Sequence, residues 1–140
     1  MATRVLFVCT GNSARSQIAE ALLRERGGDA FEAHSAGSDP TGLNPLTVRV
    51  LAEDGIDVSE AESTHVDAYV DAPWDYVVTV CDRARESCPV FPHAGEQLHW
   101  SLEDPAAAEG DDAQRMAAFR ATREEVRARI DVLVSAVARG

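Results

Sequence analysis

At 140 residues the chain suits one compact domain over 1–140, long enough to bury about two-thirds of its unfolded surface without disulfides. A net charge of −11, with all 13 basic residues Arg, opposes a nucleic-acid partner and repels anions at long range. No stretch is long and apolar enough to cross a bilayer, and the run Val5–Val8 is too short for a secretory signal, so a cytoplasmic protein with reduced thiols is expected.

The elements follow in chain order. Arg4 to Val8 is an apolar, β-branched run that reads as a buried parallel strand ending at Cys9. Thr10 to Ser16 is polar. Ser16 to Arg26 reads as a helix through Ile18, Ala21, Leu22 and Leu23, stopped by Gly27-Gly28. Phe31 to Ala36 reads as a second strand and Gly37 to Asn44 as a loop. Pro45 opens a helix with Val48, Leu51 and Ala52 on one side. Asp75 to Val80 is a third strand ending at Cys81, and Gln97 to Trp100 a short fourth. From about Asp112 to Ala138 a last helix carries Met116, Phe119, Val126, Ile130, Leu133 and Val137 on one face. This alternation predicts a three-layer α/β fold, a four-stranded parallel sheet with helices on both faces. Ligands of such sheets lie beyond the carboxyl ends of the strands, where Cys9 and Cys81 fall, with Cys88 seven residues on.

Cys9-Thr10-Gly11-Asn12-Ser13-Ala14-Arg15-Ser16 joins the first strand to its helix. Such a loop can turn successive N–H groups into one concavity and add the donors of a helix N-terminus. Gly11 permits a backbone twist and Asn12 tolerates left-handed geometry. Arg15 offers a planar fork to two oxygens of a tetrahedral anion. The same positive surroundings are expected to lower the Cys9 pKa, to about 3.5–7.5, with Ser16 donating to the thiolate. The plain alternative is a buried strand-end Cys before a polar turn. For Cys81 it is a core Cys, for Cys88 a surface Cys beside a proline. Cys81 and Cys88 together could also form a metal clip, although metal clips usually have shorter spacings and more ligands. Asp104 before Pro105 is either an acid near the anion or a turn residue. His34, His65, His93 and His99 show no metal-ligand spacing, and they and Trp74 and Trp100 read as structural.

The string Val8 to Ser16 resembles the catalytic loop of the low-molecular-weight protein tyrosine phosphatase superfamily, and within it the thioredoxin-coupled arsenate reductases. The match continues through His34-Ser35-Ala36-Gly37, Gly42-Leu43-Asn44-Pro45, Val78-Thr79-Val80-Cys81, Cys88-Pro89 and His99-Trp100-Ser101-Leu102-Glu103-Asp104-Pro105. The resemblance implies an oxidoreductase of arsenical resistance whose substrate is arsenate. Cys9 would be the nucleophile, Cys81 would attack Cys9, and Cys88 would attack Cys81 to leave a redox-active disulfide for thioredoxin. It implies oxyanion binding by Thr10, Gly11, Asn12, Ser13, Ala14 and Arg15, and Asp104 as general acid. Asp82 to Ser87, charged and without a large apolar anchor, is expected to change conformation in the cycle. Asn12, Glu20 and Ser35 match ligands of a potassium ion in some relatives, but Thr64 stands where those carry Asp. A monomer is expected. The rivals are a low-molecular-weight phosphatase, which needs only one Cys, and an arsenite- or metal-binding sensor.

Overall fold

The computed structural model describes residues 2–82, 84 and 89–139. Four strands, β1 (Thr3–Cys9), β2 (Phe31–Gly37), β3 (Trp74–Thr79) and β4 (Ala94–His99), form one parallel sheet in the order β2-β1-β3-β4. Among the described residues the α-helices α1 (Arg15–Gly27), α2 (Pro45–Ala52) and α3 (Asp112–Arg139) accompany it. The three-layer α/β architecture is the expected one.

β1 is central because it can afford no polar face. Val5, Leu6, Phe7 and Val8 are wholly buried, each burial contributing roughly 1.5–3 kcal/mol relative to exposure. Ser35 on β2 reaches Glu20 of α1, so α1 covers that face. His34, one residue earlier, points to the opposite face and stacks on Tyr69, which follows a 3-10 turn at Val66–Ala68. α3 packs against α1 and α2 with Met116, Phe119, Val126, Ile130 and Leu133 buried. No helix among the described residues is long and apolar enough to cross a membrane.

Two sequence expectations need correction. β4 begins at Ala94 rather than Gln97 and ends before Trp100. Ala94-Gly95-Glu96 has no apolar signal because β4 is an edge strand held by backbone pairing to Trp74–Tyr76. The buried side of α2 is Leu46, Thr47, Val50 and Leu51, while Ala52 is exposed. The start of α2 sets that rotation. The Asn44 side chain accepts from the Leu46 N–H, and Thr47 Oγ1 donates to the Ser13 carbonyl at 2.8 Å, tying α2 to the loop after β1. At its other end Glu53 is gripped by Arg120 and Arg123 of α3, which hold its pKa down at about 2.

With the order 2-1-3-4, the chain reverses its direction of travel between β1 and β3, the place where such sheets open a crevice. Val80 continues β3 by donating its N–H to Val8. Cys9 and Cys81 therefore leave the sheet from adjacent strands at the same edge.

Candidate active site

A cavity of about 500 Å³ opens at that edge. Its walls include Cys9, Thr10, Gly11, Ser13, Ala14 and Arg15 of the loop, Cys81 and Asp82 after β3, and Leu102 and Asp104 after β4. Cys88 lies outside the described residues. Asn12, though part of the loop, is wholly buried beneath it.

Asn12 has φ 49°, the left-handed region that Asn tolerates. The twist expected at Gly11 falls here instead. Gly11 is required by close approach, since a Cβ there would meet Thr41 Oγ1 at 2.8 Å. A Cβ on Gly37, in β2, would collide with the Thr10 carbonyl and the Asn12 N–H, so the loop rests directly on that glycine. The twist turns the Asn12 N–H onto Cys9 Sγ at 3.1 Å. The N–H groups of Gly11, Ser13 and Ala14 take no acceptor from the described chain, and no side chain caps α1. These are the donors a tetrahedral oxyanion needs.

The buried side chains beneath the loop fix a direction of hydrogen bonding. The Thr64 N–H donates to Asn12 Oδ1 at 2.9 Å, so the amide nitrogen must face the other way. That Nδ2 donates to Ser16 Oγ at 2.7 Å and to Ser35 Oγ at 2.9 Å. Ser35 in turn donates to Glu20 at 2.6 Å. With a donor already on its oxygen, Ser16 is free to point its own proton at Cys9 Sγ, 2.8 Å away.

Against the sequence expectation, the Cys9 pKa is raised. Burial is the largest cause, because desolvation penalises the thiolate. The hydrogen bonds from Ser16 and Asn12 pull it down without cancelling that penalty. The fold thus favours the thiol; that contribution is complete below the free thiol's pKa of about 8.5 and is lost as pH rises through the folded value. Ser16→Ala removes a lowering contact, so thiolate formation at Cys9, followed by ultraviolet absorbance in a Cys81→Ser/Cys88→Ser background, is expected to move to still higher pH. Alkylation of Cys9 at neutral pH should slow severalfold. An unchanged titration would remove Ser16 from this role.

Arg15 is partly buried. Its Nη1 donates to the Leu102 carbonyl at 3.2 Å, and its Nη2 lies 3.8 Å from Asp104. Asp104 caps a 3-10 turn at Pro105–Ala107 through the Ala106 N–H, and it also lines the cavity. Glu103 lies outside the cavity wall. Cys81 is buried, and its sulfur is 3.5 Å from Thr10 Oγ1 and accepts from the Ala84 N–H at 3.3 Å. Ala84 is itself wholly buried, while residues 83 and 85–87 of the segment expected to change conformation lie outside the described residues.

The potassium ligand set does not fit. Asn12 turns N–H groups, not its oxygen, toward Ser35, and Glu20 is taken by Ser35 and by Arg24 at 2.9 Å. Arg24 also donates to the Ala33 carbonyl, so a guanidinium already neutralises this end of the network. Sequence reasoning missed Gln17 and Ser63, and the contact of Thr64, which fasten Asn12. Only the three-dimensional approach of residues 62–64 to the loop reveals them.

Residues 4–140 match the family described as low molecular weight phosphotyrosine protein phosphatase. The chain belongs to that family. Within this phosphatase family it is 43% identical over 126 residues to an arsenate reductase of Halalkalibacterium halodurans, covering 90% of this chain and 91% of that one. A solved arsenate reductase in a phosphate-binding state superposes with TM-score 0.82 at 28% identity, over 95% of this chain and 97% of the other. A thioredoxin-dependent arsenate reductase of Corynebacterium glutamicum superposes with TM-score 0.73 at 32% identity, over 98% of this chain and 62% of that longer one.

Proposed function

We propose that this phosphatase-family chain is a cytoplasmic, monomeric arsenate reductase that passes oxidation along three cysteines to thioredoxin. One observation carries the reading: a second thiol, Cys81, walls the same cavity as Cys9, the anion loop, Arg15 and Asp104. Hydrolysis of a phosphoester has no use for it. The arsenate reductases at about 40% identity support the same substrate.

The chemistry follows from the groups present. The loop N–H groups and Arg15 take the oxyanion against the chain's own negative field. Burial keeps Cys9 protonated, so the bound dianion serves as the base that accepts its proton. Ser16 then holds the thiolate. Sulfur attacks arsenic, an arsenic–oxygen bond breaks, and Asp104 supplies the proton with which that oxygen leaves as water. Cys81, as thiolate, attacks Cys9 Sγ. A sulfur–sulfur bond forms, the arsenic–sulfur pair stays on arsenic, and arsenite departs two electrons richer. Cys88 would then displace Cys9 from Cys81, and thioredoxin would reopen the Cys81–Cys88 disulfide.

The test is arsenate-dependent NADPH oxidation with thioredoxin and its reductase. Cys81→Ser is expected to abolish multiple turnover while leaving oxyanion binding intact. If Cys81→Ser retained turnover, or if the wild-type protein hydrolysed an aryl phosphate without reductant and showed no reductase activity, a one-thiol phosphatase would be the correct description.

A further inference from the structure

A single imidazole ties together the residues on either side of Cys81. Thr79, the last residue of β3, pairs in register with His99, the last residue of β4. Thr79 Oγ1 lies 2.7 Å from His99 Nδ1. The other ring nitrogen, Nε2, lies 2.8 Å from Asp82 Oδ1, which Ser101 Oγ reaches as well at 3.0 Å. A carboxylate only accepts, so Nε2 carries the proton. Thr79's hydroxyl has a better acceptor in Nδ1 than in the Leu98 carbonyl at 3.4 Å. Each ring nitrogen is then used once.

The geometric consequence concerns the residue between these anchors. Thr79 is fixed in the sheet, and Asp82 is the first residue beyond Cys81. One ring bonded to both spans the turn from strand to cavity wall. The Asp82 side chain is largely exposed, and exposed contacts of this kind contribute little to global stability. What the bridge governs is where the chain, and with it the Cys81 sulfur, stands.

The geometry points to His99 as a positioning residue that, through Asp82 and Thr79, holds Cys81 where its sulfur can reach Cys9. This rests on the reading of Cys81 as the second thiol. A displacement of a reacting group by an ångström can slow a reaction by roughly a hundredfold.

The experiment uses the full chain carrying Cys88→Ser, so that the oxidised product stops at Cys9–Cys81. Arsenate is added at saturation, the reaction is quenched in acid, and the disulfide is followed by mass spectrometry of non-reduced peptides. In this parent, His99→Ala and Asp82→Ala are each expected to slow disulfide formation by roughly ten- to a hundredfold. The rate of Cys9 alkylation should stay the same, showing that the loop is intact. His99→Gln, whose side-chain amide can still donate to Asp82, should recover much of the parent rate. A His99→Ala protein that closes the disulfide as fast as its parent overturns the inference while leaving the second-thiol reading standing. A parent that closes no Cys9–Cys81 disulfide overturns both.

Discussion

Cys9→Ser is expected to leave a folded protein that binds oxyanions and reduces none of them. The open donors are the N–H groups of Gly11, Ser13 and Ala14 and the Arg15 guanidinium, none of which bonds Cys9. The hydroxyl that replaces the sulfur is a far weaker acid than a thiol, so the bound dianion that can take the Cys9 proton cannot take this one, and Ser16 beside it is turned to donate. An oxygen–arsenic ester also gives Cys81 nothing to attack, because no disulfide can form with oxygen. Turnover should fall by at least about 10⁴-fold, as when a covalent nucleophile is removed from other enzymes. Calorimetry with arsenate, or with sulfate as a redox-inert stand-in, should report binding close to that of the wild type. Residual reductase activity above the assay blank would mean that another thiol opens the reaction.

Arg15→Lys is expected to be strongly damaging too, which is unusual for an exchange that keeps the charge. The guanidinium is held from behind by the Leu102 carbonyl and faces Asp104, so its planar fork is already aimed when an anion arrives. A lysine ammonium is a point charge on a flexible stem; it cannot serve two oxygens and hold Leu102 together. The segment carrying Asp104 would lose its tie to the loop, so acid and anion site would loosen at once. A fall of roughly 10²–10³ in kcat/KM for arsenate is expected, the size seen when one preorganised oxyanion donor is lost. Initial rates across an arsenate series check it, and a loss of only a few-fold would move the main anion contacts to the backbone.

Most of the architecture was legible because the signals are local. The apolar run Arg4–Val8 stopping at a Cys, the glycine pair after α1, Pro45 behind Asn44 and the spacing from Met116 to Leu133 each announce an element without reference to any other. The strand-end rule then brought Cys9 and Cys81 to one edge. What escaped depends on neighbours far along the chain. β4 starts early because its pairing is made by backbone, which leaves no mark in Ala94-Gly95-Glu96. The pKa of Cys9 rises because burial at the sheet edge desolvates the thiolate by more than the hydrogen bonds from Ser16 and Asn12 recover, and a positive-looking loop sequence says nothing about depth. The potassium ligands failed as a set because Thr64 orients Asn12 from 52 positions away and Arg24 has claimed Glu20.

The placement of the two sulfurs on neighbouring strands bears on wear. β1 and β3 lie side by side, separated by about 4.8 Å as hydrogen-bonded strands are. If oxidation is handed from the first strand's end to the next one's, the exchange takes place at the rim of the sheet, in the cavity both cysteines line. The buried interior made by Phe7, Val78 and Phe119 need not part for that exchange. Such a molecule could be oxidised and restored many times over while its hydrophobic centre stayed dry.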